Sequence, residues 1–152
     1  MADALWLNVL LYLPVAGCAL LLALPSARGD AIRTLTLVVT LAQFVIAVFL
    51  YIGFDATVSG PQFVTHVPWI PAWGVYYEIG LDGYNVLLVL LTAFLGPLVV
   101  AGAFSAIRKD VKFFYITVLM VQFAMLGAFL AQDLFLFYLF WEAMMIPMFL
   151  II

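Results

Sequence analysis

One carboxylate in this chain stands where a carboxylate is costly. Glu142 lies eight residues into an apolar run that begins at Leu134. In a helix that is about 12 Å from the start of the run, near the midplane of a hydrocarbon core about 30 Å thick. No Lys or Arg lies near it in sequence. An intramembrane acid is expected to face protein or a water-filled cavity, where desolvation favours its neutral form. Such a group can load and release a proton when a cation elsewhere approaches or withdraws. Tyr138, one turn earlier, shares its helix face. Pro147, five residues later, removes a backbone donor and crowds the carbonyl of Ala143, so a bend is expected just past the acid. A carbonyl freed in this way can bind water.

Other polar residues reach a similar depth. Gln132-Asp133 forms so short a turn that the segments on either side are expected to be antiparallel helices. Ten residues back lies Gln122, and ten residues on lies Glu142. Equal counts put the two at one level, and a direct or water-bridged contact between them is expected. Gln122 has two readings, a partner of the acid or an ordinary interhelical hydrogen bond. For Gln43, about half a span from Thr34, interhelical bonding is reason enough. Asp133 reads as an N-cap for the fifth helix. His66 reads as an exposed or interfacial histidine. Met144, Met145 and Met148 read as soft packing, because copper chemistry would normally bring more histidine or thiol ligands.

These groups need membrane helices to hold them. Of 152 residues, 69% are hydrophobic and 9% charged, against about 45–50% and 25% in soluble domains. Thirteen charges cannot cover a soluble fold of this size. Five stretches are long and apolar enough to cross: about 4–24, 34–54, 83–107, 113–131, and 134 onward. The first has no Lys or Arg before it and is too long for a signal-peptide core, so it is expected to be retained. The expectation is an all-α polytopic membrane protein with five transmembrane helices, embedded in a lipid bilayer. Helices one and two fill residues 1–54, an outer flap fills 55–82, and helices three to five fill 83–152. Within the flap, Phe63–Val67 and Val75–Ile79 suggest a small hairpin, and Asp82-Gly83 a cap for helix three.

All five basic residues, Arg28, Arg33, Arg108, Lys109 and Lys112, fall in or beside two short loops on one side. The positive-inside rule makes that side cytoplasmic, with the N-terminus outside and Ile152 at the inner face. Trp6, Tyr51, Trp69, Trp73, Tyr76, Tyr77 and Tyr84 fall near the outer boundary, and Tyr115 near the inner one. Aromatic rings favour such interfaces. A net charge of −3 argues against a nucleic-acid partner. One cysteine and one histidine exclude a disulfide framework, an iron–sulfur cluster or a bis-histidine haem carried by this chain alone. Neither GxGxxG nor GxxxxGK[ST] occurs.

The run Asp133-Leu-Phe-Leu-Phe-Tyr-Leu-Phe-Trp141-Glu142-Ala-Met-Met-Ile-Pro147-Met resembles the fifth-helix signature of the antiporter-like subunits of proton-pumping NADH:quinone oxidoreductase, complex I. It is most similar to the subunit M, or chain 4, branch. Tyr77-Glu-Ile-Gly-Leu-Asp-Gly83 and Phe114-Tyr115 are similar to that branch as well. The resemblance implies the start of an inverted-repeat bundle in an energy-conserving membrane, bacterial or mitochondrial. It implies that Glu142 is a proton relay, with Gln122, Tyr138 and Pro147 in support. Other membrane subunits of the complex would be the partners. NADH, FMN, iron–sulfur clusters and quinone would belong to other subunits, with no cofactor and no metal in this chain. The family's glutamate works with lysines on later helices, which are absent here. The chain reads as a fragment or a truncated product, and its end inside an apolar run favours a fragment. The same signature occurs in multisubunit sodium/proton antiporters and membrane-bound hydrogenases, which stand as the alternative. A purely structural anchor has no use for an intramembrane acid.

The topology makes a direct prediction. A cysteine introduced at Gly60 will react with a membrane-impermeant thiol reagent from the outside, and one at Lys109 from the cytoplasm. Labelling of position 60 from the cytoplasm alone would invert the assignment.

Overall fold

The computed structural model describes residues 2–151, with side chains from Ala4 onward. The expected position of Ile152 at the inner face lies outside the described residues. The elements are α1 (Ala2–Ala23), α2 (Gly29–Gly53), β1 (Gln62–Ile70), a 3-10 turn at Pro71–Trp73, β2 (Val75–Leu81), α3 (Val86–Ala106), α4 (Val111–Leu130) and α5 (Leu134–Ile151). Each α-helix is long and apolar enough to cross a membrane.

The helices pack around α4, which touches α1, α2, α3 and α5 as well as β2. Two apolar clusters fill the bundle. One, at the flap end, gathers Leu7, Leu10, Leu11, Ala47, Leu50, Ile79, Val89, Leu126 and Phe140. The other, at the basic end, gathers Cys18, Leu21, Ile32, Val39, Val100, Tyr115 and Leu119. By sequence position, Pro14 and Gly17 of α1, Gln43 of α2, Gly96 and Pro97 of α3, and Gln122 of α4 lie between the two clusters. All six are buried. The middle of the bundle is thus a layer of amides, prolines and glycines between two oily ends.

That layer follows from the prolines. Pro14 has no N–H, so the carbonyl of Leu10, four residues earlier, loses its helical donor. In hydrocarbon an unmet carbonyl is costly. Gln43 supplies the missing proton, its Nε2 donating to Leu10 O at 3.0 Å. Pro97 opens a similar gap in α3 at Ala93. Gln122 Nε2 donates at 2.9 Å to the adjoining carbonyl, that of Thr92. Gly96 makes room for it, since a Cβ there would sit 2.8 Å from Gln122 Nε2.

The basic end is tied by two cations. Arg33 Nη2 donates to Ile107 O at the end of α3, at 2.8 Å. Lys112 Nζ donates to Leu22 O and Leu24 O at the end of α1, at 2.9 and 2.8 Å. Positive charge at a helix C-terminus meets both unpaired carbonyls and the helix dipole. Arg33 also pairs with Asp30 at 2.9 Å. These contacts explain why α2 starts at Gly29 and not near Thr34, since its polar first turn has partners. Tyr115 is a second departure from expectation. It is fully buried between Phe104 and Phe114, its hydroxyl 3.4 Å from Val100 O, and is not an interfacial anchor.

Gly127 of α4 admits the ring of Phe140 from α5, and a Cβ there would overlap that ring. Gly127→Ala is therefore expected to destabilise the α4–α5 contact by about 1–3 kcal/mol, the usual range for overpacking. Thermal unfolding of purified protein will show a lowered midpoint, and Phe140→Leu in the same chain will restore part of it. An unchanged midpoint for Gly127→Ala would show that this contact is loose.

Candidate functional site in the membrane layer

Glu142 sits on α5, and the position of α5 is set from the flap. Strands β1 and β2 pair antiparallel, with Thr65 opposite Ile79 and Val67 opposite Tyr77. The 3-10 turn between them closes on Gly74, whose φ of +64° suits glycine. Val75, Ile79 and Leu81 turn inward, the last two into the flap-end cluster. The edge of β2 then grips the α4–α5 turn. Gln132 N donates to Glu78 O at 2.8 Å, and Ile79 bridges to Ala131. Asn85 Nδ2 reaches both Gly80 O and Phe129 O, at 3.0 and 2.9 Å.

Asp133 joins this grip to the start of α5. Its Oδ1 accepts from the amides of Phe135 and Leu136 at 2.8 and 3.0 Å, and its Oδ2 from Tyr76 N at 3.2 Å. It is an N-cap that also holds the flap. The amide of Leu136, with those of Tyr76 and Phe135, draws its pKa below the ordinary 3.8. At the start of α3, Asp82 Oδ1 accepts from Tyr84 N and Asn85 N, while Asn85 Oδ1 accepts from Asp82 N, each at 2.8 Å. The cap is thus the Asp82–Asn85 pair, and α3 starts at Val86 rather than near Gly83.

The structure does not bring Gln122 and Glu142 together. Gln122 is buried against α3. On α5 the buried residues are Leu136, Phe140 and Pro147. Glu142 follows Phe140 by two residues, a rotation of roughly 200°, which turns it away from α4. It is exposed, as is Tyr138. Equal count from the turn fixes depth and not rotation, and rotation decides contact. No basic side chain among the described residues pairs with Glu142. The helix continues through Pro147, which is buried.

The flap carries its own polar pair. His66 Nδ1 lies 3.1 Å from Glu78 Oε2, and the imidazole stacks on Tyr76 with ring centroids 4.6 Å apart. His66 is half exposed. Among the described residues no group of three or more His, Cys, Asp or Glu could hold a metal ion. The sequence reading missed Asn8, whose amide donates to Thr65 Oγ1 at 2.7 Å and whose oxygen lies 3.3 Å from the Tyr77 hydroxyl. It missed Asn85 as well, although Asp82-x-x-Asn85 before an apolar run is a legible cap pattern.

No protein-family model matches the chain. Relatives do. It is 40% identical over 150 residues to NADH-quinone oxidoreductase subunit M of Rhodobacter capsulatus, covering 96% of this chain and 29% of that protein. It is 36% identical over 146 residues to NADH-ubiquinone oxidoreductase chain 4 of Arabidopsis thaliana, covering 96% and 30%. Its fold matches a chain of respiratory complex I from Thermus thermophilus with bound NADH, at a TM-score of 0.72 and 33% identity, over 95% of this chain and 28% of that one. The chain is homologous to subunit M, or chain 4, of NADH-quinone oxidoreductase. It spans less than a third of the length of these relatives. The fold shared with that chain of complex I agrees with the expected polytopic helical bundle, the flap hairpin being a minor addition. These homologues are subunits of an oxidoreductase complex.

Asp133 gives a pH test of the grip on α5. Its folded pKa is depressed, so its contribution to stability is present above the unfolded value near 3.8. That contribution is lost as pH falls through the lower folded value. Asp133→Asn keeps a capping oxygen but not the charge. Thermal midpoints should show the wild type ahead at neutral pH, with the gap closing below about pH 3.8. A gap that stays constant down to pH 2 would exclude this linkage.

Proposed function

We propose that this chain acts as part of a membrane-arm subunit of a NADH-quinone oxidoreductase, taking part in redox-driven proton translocation through Glu142. The carrying observation is the likeness to subunit M proteins over nearly the whole chain, together with an acid held at mid-span on α5. The chain contributes no redox chemistry. NADH, FMN, iron–sulfur clusters and quinone belong to other subunits, and its partners are other membrane subunits of the complex. Its place is an energy-conserving membrane.

The residues present suit a relay. α5 is held at its outer end by Asp133 and β2, so Glu142 has a fixed depth. The carboxyl projects from the face of α5 opposite the one packed on α4, along with Tyr138, free to meet a group supplied by another helix. In a dry site its neutral form is favoured, and an approaching cation favours the ionised form. Movement of such a cation would load and release one proton per cycle. Gln122 supports this indirectly, since it fixes α4 against α3 and α4 carries α5. Pro147 leaves Ala143 without a helical donor on its carbonyl, one residue from the acid.

The test is a substitution pair in the assembled complex. Glu142→Gln keeps shape and hydrogen bonding but cannot change charge, and it should abolish proton pumping and coupled quinone reduction. Glu142→Asp keeps the acid on a shorter stem and should retain part of both. A Gln variant that assembles and pumps at the normal rate would make Glu142 structural.

A further inference from the structure

We infer that Gln43 binds an internal water molecule beside the Pro14 break of α1, inside the α1–α2 interface at mid-membrane. Gln43 is fully buried, at 0% exposure. Its Nε2 is committed to Leu10 O, but its Oε1 is buried without a hydrogen-bond partner among the described residues. Turning the amide over does not help, because Oε1 would then face the carbonyl oxygen of Leu10, and neither oxygen carries a proton to donate. The orientation is therefore fixed by Pro14, and the orphan acceptor is its consequence. A buried acceptor left unmet is among the unfavourable features that folded proteins avoid, and trapped water is the usual remedy.

A water needs two or more polar partners. Thr40 lies one turn away on the same buried face of α2, also at 0% exposure. Its hydroxyl proton goes to Thr36 O or Leu37 O, at 3.0 and 3.1 Å, which leaves its oxygen able to accept. A water donating one proton to Gln43 Oε1 has Thr40 Oγ1 or the second lone pair of Leu10 O for the other. Toward the basic end the interface is closed. A Cβ at Gly17 would lie 3.0 Å from both Leu119 Cδ1 and Val39 Cγ1. The water is thus a trapped molecule and not the start of a file to that side. It is separate from Glu142, since Gln43 faces α1 and α5 packs on the other helix, α4.

The experiment is a map of the assembled complex, holding the full-length subunit, at a resolution that shows ordered water. The expected result is a spherical density about 2.8 Å from Gln43 Oε1, with the Nε2 contact to Leu10 O retained. Gln43→Met keeps length and removes the acceptor. It should abolish that density and lower the thermal midpoint, with quinone reduction still present. A donor side chain or amide on Oε1, or an Oε1 packed on carbon alone, would overturn the inference. The wild-type map decides the matter where the Met variant does not assemble.

Discussion

In hydrocarbon a backbone carbonyl without a donor has no water to turn to. That constraint organises this bundle. Two of its inner helices carry prolines at mid-span, Pro14 and Pro97, and each proline removes a donor from its own helix. A glutamine from a neighbouring helix stands at each break, Gln43 on the carbonyl of Leu10 that Pro14 frees and Gln122 on that of Thr92, next to the one Pro97 frees. A bond of this kind contributes only about 0.5–1.5 kcal/mol net. Leaving the carbonyl and the amide unmet would cost more, so the pairing fixes which helix faces which. The two apolar clusters could slide or rotate past each other at little cost. The amides between them could not.

The same accounting governs the ends. Arg33 and Lys112 answer the last carbonyls of α3 and α1, and Asp133 answers the first amides of α5. Two of the five basic residues therefore join helices. At the opposite end the flap is an extension of the bundle. Its strand β2 lends backbone groups to the α4–α5 turn, while Asn8 ties β1 and β2 to α1. A two-stranded hairpin alone is marginal in water. This one is held because its inward residues, Ile79 and Leu81, share the flap-end core with all five helices.

Helix number was legible because hydropathy carries it directly, and so was the gathering of the basic residues at one end of the bundle. So was the N-cap at Asp133, which depends only on local sequence. The partners of the glutamines were half legible. Their role between helices followed from type and depth, but their direction did not. For Gln122 the missing information was rotation about α4, which Gly96 decides by giving the amide room on α3. For Gln43 it was Pro14, whose effect falls four residues upstream, on a leucine that looks unremarkable in sequence. Tyr115 misled because a tyrosine near a span end fits the interface belt, and burial between Phe104 and Phe114 is a tertiary fact. The start of α2 misled because hydropathy stops at the first polar residues, whereas helix geometry continues through Asp30 and Arg33.

The exposure of Glu142 on α5 is consistent with insertion, but in contact with lipid it carries a penalty. On insertion scales a charged residue such as Asp costs about 2.5–3.5 kcal/mol at a helix centre, while each Leu, Ile or Phe contributes about −0.3 to −0.6. α5 carries ten such apolar residues, about −3 to −6 kcal/mol by the same scale. The helix can therefore enter a bilayer with its acid, whose cost its apolar residues offset. What they do not do is remove the penalty. Any neighbouring helix that brings a hydrogen bond or a cation to that face recovers it. The face of α5 that bears Glu142 and Tyr138 is thus the one on which docking is most favourable. An acid at this depth thus favours the covering of the very surface that bears it.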